Sequence, residues 1–88
     1  MTMYYKETER TYDFMDGQHY HTDNVIWIVE DNGLDSEGIK RYFVVKHYIE
    51  PLGNYKTVYL LSEQDLGSDI ISKHLEDITE KDAFIELL

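Results

Sequence analysis

The run Val25-Ile-Trp-Ile-Val29 restricts the fold of this chain more than any other stretch. Five consecutive apolar residues bounded by polar ones are short for a helix and suit a strand with both faces covered. Such a strand belongs in the middle of a sheet, so other strands must flank it and something must shield each face. The chain has 88 residues, enough for one small domain (1–88) with a single core. A chain of this length buries only about 60–65% of its unfolded surface.

Three more stretches read as strands. Residues 3–14 are rich in Tyr and Thr and alternate weakly, as a long strand at an edge would, with lysine and arginine discouraging unwanted pairing. Residues 39–49 put Ile39, Arg41, Phe43, Val45, His47 and Ile49 on one face and Tyr42, Val44, Lys46 and Tyr48 on the other. Residues 55–61 alternate in the same way, and the central strand covers about 24–31. The connectors at 16–18, 31–38 and 50–54 have turn composition, and their shortness favours an antiparallel meander.

The period changes after Leu61. Ser62-Glu-Gln-Asp65 is a variant capping box, with Leu61 and Leu66 spaced as a hydrophobic staple. Leu66, Ile70, Ile71, His74, Leu75 and Ile78 then recur at three and four, so the segment 63–88 is expected to be helical. Gly67 could delay the helix start to Ser68. Thr79-Glu-Lys-Asp82 is a second N-cap signal, marking a bend or a second short helix. The expected fold is α+β: a four-stranded antiparallel meander with one or two C-terminal helices packed on one face. The other face is expected to be open and to carry tyrosines such as Tyr4, Tyr12, Tyr42 and Tyr48.

Charge bounds the function. Eighteen acids against eight bases give a net of −10, and residues 62–88 alone carry eight acids and two bases. Such a chain is repelled by phosphate backbones, so direct nucleic-acid binding is not expected; a basic protein is the complementary partner. There are no cysteines, which excludes disulfides and thiolate chemistry and is compatible with a reducing compartment. No apolar run approaches a membrane span and the N-terminus has no signal-peptide core, so a soluble, cytoplasmic protein is expected.

One stretch suggests metal chemistry. In "GQHYHTDN" (17–24), His19, His21 and Asp23 alternate, and on a strand they would share a face. His-x-Asp resembles the first half of the iron motif of non-haem oxygenases, which needs a distant histidine; His47 and His74 are the options. The resemblance covers three residues, and the oxygenase barrel is far longer than this chain. The reading adopted is a polar hairpin shoulder with no metal or other cofactor. No Gly-x-Ser-x-Gly, phosphate loop or calcium loop is present, and no catalytic residue is assigned.

In size, charge, tyrosine content and lack of cysteine the chain resembles small acidic inhibitors: phage anti-defence proteins, nucleic-acid mimics and immunity proteins. That resemblance implies a non-enzymatic binding module that fills a basic surface of a nuclease or other nucleic-acid-binding protein. The expected contact residues are Glu63, Asp65, Asp69, Glu76, Asp77, Glu80 and Asp82 with Tyr42 and Tyr48 as anchors. The alternatives are a self-associating subunit pairing a Tyr-rich face, and a small metal-dependent enzyme using His19, His21 and Asp23.

Overall fold

The computed structural model describes residues 1–12, 20–50 and 53–88. Strands β1 (Thr2–Tyr12), β2 (Tyr20–Leu34), β3 (Lys40–Glu50) and β4 (Gly53–Ser62) form the antiparallel meander. Helix α1 (Glu63–Ser72), a short strand β5 (Glu76–Ile78) and helix α2 (Glu80–Glu86) follow. The sheet order is β4-β3-β2-β1-β5. The α+β meander with C-terminal helices is therefore the architecture of this chain.

Val25, Ile26, Trp27 and Val29 on β2 are all fully buried, and β2 is the middle strand of the five. Strand alternation divides the neighbours between two faces. On the first face Val25, Trp27, Val29, Tyr42 and Val44 form the core with Leu66 of α1, and Met3, Tyr5, Tyr48, Leu61, Ile70 and Leu75 pack against it. The second face carries Tyr4, Lys6, Ile26, Ile28, Phe43, Val45, Val58 and Leu60. The helix α2 lies there: the Phe84 ring meets Tyr4 edge-on at 6.2 Å, and Lys6 Nζ contacts Glu86 Oε1 at 2.9 Å. Each helix packs on one face, but not the same face.

The C-terminal segment is not helical throughout. Ser62 caps α1, its hydroxyl accepting from the Asp65 amide at 3.2 Å, so the helix starts at Glu63 and tolerates Gly67 within it. It ends in a Schellman turn: the His74 amide donates to Ile71 O at 3.3 Å and the Leu75 amide to Ile70 O at 3.1 Å. His74 takes φ 52° there, a left-handed conformation that suits glycine. The three-four spacing of His74 and Ile78 with the residues before them was thus coincidental. His74 is exposed, and Ile78 sits on β5 opposite Tyr4 of β1. Strand β5 also covers Tyr4–Lys6 of β1, so β1 is flanked on both sides there and is not an edge along that stretch. Thr79 caps α2, its hydroxyl accepting from the Asp82 amide at 3.1 Å.

Leu66→Ala removes the buried residue of α1 and should lower the unfolding free energy by about 2–5 kcal/mol, whereas Ile71→Ala, at a position 76% exposed, should change it by no more than about 0.5 kcal/mol. His74→Gly relieves the left-handed backbone and should raise stability by roughly 1 kcal/mol. Urea unfolding followed by tryptophan fluorescence measures all three.

Candidate partner-binding surface

After β4, Leu66, Ile70, Leu75 and Ala83 point inward, whereas Ile71, Phe84 and Ile85 stay exposed among the acids. Starting from the edge strand β4, α1 crosses the first face against β4 and β3, β5 runs along β1, and α2 turns onto the second face. The segment is a strap around one end of the sheet. Its inner side is Leu66, Ile70 and Leu75 on the first face, and its last turn buries Ala83 fully on the second.

Its outer side is acidic. Glu63 and Asp65 lie in the first turn of α1, and Glu80 and Asp82 in the first turn of α2, where a negative charge is favoured by the free amides and the helix dipole. Glu76 and Asp77 lie on β5. All six are exposed and Asp69 is half-buried. Among the described residues the strap's acids make one ion pair, Glu86 with Lys6. The seven carboxylates expected as contacts follow the strap without sharing one face, Asp77 lying opposite Tyr5 on the first face and Glu76 opposite Lys6 on the second, with Lys73 and Lys81 the bases along it.

The 31–38 turn has a different role. Asp31 Oδ1 accepts from the Gly33 amide at 2.8 Å and its other oxygen lies 3.3 Å from Lys40 Nζ. Asp35 Oδ1 accepts from the amides of Glu37 at 2.8 Å and Ile39 at 3.0 Å, and Oδ2 accepts from Arg41 Nε at 3.0 Å. Gly33 and Gly38 supply the positive φ values, 76° and 80°. The backbone amides, with Lys40 for Asp31 and Arg41 for Asp35, hold both carboxyls below the usual range. These two acids build the hairpin, while Glu30 and Glu37 remain exposed.

The tyrosines are placed differently from the sequence expectation. Tyr42 is 9% exposed and belongs to the core beneath α1, so it is not an anchor for a partner. Tyr48 is half-buried on that same face and stacks on Tyr55 with ring centroids 4.5 Å apart. Tyr4 is on the second face, and the Tyr12 side chain lies outside the described residues. The Tyr-rich face is therefore the one that α1 covers. Burial, then the charge of Asp77 and the nearby Tyr42, raises the Tyr5 hydroxyl pKa. Burial, then Glu80 and Glu30, does the same for Tyr4.

His19 lies outside the described residues, as do the side chains of His21 and Asp23, so the alternating triad has no geometry to report. Among the described residues no group of three or more His, Asp or Glu side chains could hold a metal ion. No helix among them is long and apolar enough to cross a membrane. His47 is on the second face, where burial and then Lys56 lower its pKa. Sequence reasoning missed Phe43, Val58 and Leu60, which share that face and stay between 41% and 55% exposed. Alternation puts Val58 and Leu60 on one side of β4 and Phe43 on one side of β3, but the register that joins them and their lack of a covering helix were hidden.

Comparison of the chain with protein-family models, with curated proteins and with solved structures finds no match.

The pKa directions set a pH dependence. His47, Asp31 and Asp35 are all depressed in the folded state, so each contributes stability that is present above its unfolded pKa and lost as pH falls through the folded one. Acidification should lower the urea midpoint first below the ordinary histidine value of 6.5 and again below the ordinary aspartate value of 3.8. His47→Gln should flatten the first step and Asp35→Asn the second. A midpoint curve of unchanged shape in both variants would contradict these assignments.

Proposed function

We propose that this chain is a non-enzymatic, cytoplasmic binding module whose acidic strap occupies a basic, nucleic-acid-binding surface of a partner protein, as an inhibitor or mimic does. The observation that carries the reading is the series of acids along the strap, Glu63, Asp65, Asp69, Glu76, Asp77, Glu80 and Asp82, six of them exposed and none in an ion pair among the described residues. Folding does not require so many carboxylates on the strap. Its helices are already capped by Ser62 and Thr79, and its packing rests on the apolar inner side.

A series of carboxylates on two short helices and a strand offers a basic groove what a phosphate backbone offers: closely spaced negative charge on a rigid frame. The frame matters because a preorganised array binds with less ordering cost than a flexible acidic tail. Long-range attraction between these acids and a basic surface raises the association rate more than it lengthens the residence time. Anchoring must come from side chains other than Tyr42, and Tyr48 with its stacked neighbour Tyr55 is the aromatic pair beside the strap's face.

The test uses the partner captured from the source cell and then purified. Association should weaken steeply as salt rises, since charges meeting at an exposed rim are screened over about 8 Å at physiological ionic strength. Reversing Asp69, Glu76 and Glu80 to Lys should slow association by an order of magnitude or more while changing dissociation about threefold or less. Stopped-flow kinetics separates the two rates. Unchanged association would assign the charge to solubility and remove the mimic reading.

A further inference from the structure

Half of the second face has no cover. Helix α2 sits over β1, and beyond it Phe43 faces Leu60 and Val45 faces Val58 across β3 and β4. Phe43, Val58 and Leu60 are 41%, 53% and 55% exposed, and on α2 itself Phe84 and Ile85 are 50% and 55% exposed. Isolated apolar residues on a surface are ordinary, but two cross-strand apolar pairs beside an apolar helix flank form one contiguous patch.

Charge decides what fits there. The centre of the patch bears no acid. Residues 40–62 carry Lys40, Arg41, Lys46 and Lys56 against Glu50 alone, a net of +3 in a chain of net −10. Lys40 and Arg41 are paired with Asp31 and Asp35 and Lys46 lies over Trp27 on the first face, which leaves Lys56, exposed and cross-strand from His47, as the cation of this hairpin at the rim. Glu30, opposite Phe43 on β2, marks the other margin. The complement is a surface that is apolar in the middle and acidic at its edge. The exposed flank of α2 carries Phe84 and Ile85 with Glu80 and Asp82, beside one base, Lys81, while Glu86 is held by Lys6 of its own chain.

We propose that this face is a two-fold interface with a second copy of the chain, each α2 lying on the uncovered β3–β4 half of its partner. A two-fold axis makes both halves of the match at once, Phe84 and Ile85 on Phe43, Val58 and Leu60, and Glu80 or Asp82 near Lys56. With about 150–250 Å² for a large side chain, the exposed parts of these five give roughly 450 Å² per copy, so a pair buries about 900 Å² before its polar rim is counted, close to the ~1,000 Å² of a specific interface. The acids on α1 and β5 lie outside this contact, whereas Glu80 and Asp82 of α2 belong to both surfaces. Leu60 and Val58 belong to the dimer contact alone, so substitutions there test the dimer without touching the partner-binding acids.

Sedimentation equilibrium of the full chain tests it. Wild type should be dimeric at about 100 μM and dissociate on dilution, and Leu60→Glu should raise the dissociation constant at least about tenfold. Val58→Asp should act alike, Lys56→Glu should weaken the dimer through the rim, and Ile71→Glu on the outer side of α1 should leave it unchanged. Circular dichroism confirms that each variant is folded. A monomer at every concentration, which would leave the patch to a different protein, overturns the proposal, and so does a dimer indifferent to both Leu60→Glu and Val58→Asp.

Discussion

Trp27 holds the molecule together. Its indole N–H donates to the buried Glu7 carboxylate at 2.9 Å, and the Lys46 ammonium stands 4.0 Å above its ring, 4.9 Å from the Tyr59 ring. One fully buried side chain on β2 thus engages β1 through a charge-assisted hydrogen bond and β3 and β4 through a cation held between two aromatic rings. The contact is mutually dependent. Without Glu7 the indole donor would be buried unpaired, and without the indole the Glu7 carboxylate, 6% exposed, would lose its neutral donor in a site poorly reached by water. The pairs Tyr5–Trp27 and Trp27–Lys46 also fix the register of the three strands, since a slip of one residue would turn the indole to the other face.

That arrangement makes the strap necessary. With Trp27 committed to one face and Ile26 fully buried on the other, a layer on a single side would leave part of the central strand wet. The 26 residues after Ser62 supply both layers by crossing one face, pairing along β1 and returning over the second. Each turn of that path is made by a local device: the Ser62 cap, the left-handed His74, the three-residue strand β5 and the Thr79 cap. Leu66, Ile70, Leu75 and Ala83 face inward, and the exposed acids of the strap share its outer side with Ile71, Phe84 and Ile85. The β3–β4 hairpin carries four of the eight bases, Lys40, Arg41, Lys46 and Lys56, against Glu50 alone.

Much of the framework is legible in the sequence because it follows from short-range rules. The alternation in β3 and β4, the apolar run in β2 and the two cap signals each depend on residues within a turn or a strand of one another. The path between the caps was not legible. His74 lies at a spacing that fits a helical stripe, and nothing local distinguishes a helical histidine from one at a left-handed C-terminal turn when glycine is absent. Strand β5 is only three residues long, Glu76–Ile78, and owes its existence to the exposed edge of β1 rather than to its own β propensity. For the surface, the acids were visible from composition. The faces of Tyr42 and Tyr48 were not, because alternation pairs residues on a common side without saying which side receives the helix. Once α1 settles on the side of Trp27, those tyrosines become core and flank, and the apolar residues Phe43, Val58 and Leu60 are left outside.

The central functional claim is that the strap takes the place of a nucleic acid on a basic partner. The most direct measurement is a competition experiment, in which a fluorescently labelled DNA duplex bound to the purified partner is titrated with this protein. The two should exclude each other, with the apparent affinity for the protein falling as the DNA concentration rises and no complex containing all three. A stable ternary complex, with the duplex still bound while the protein saturates the partner, would contradict it.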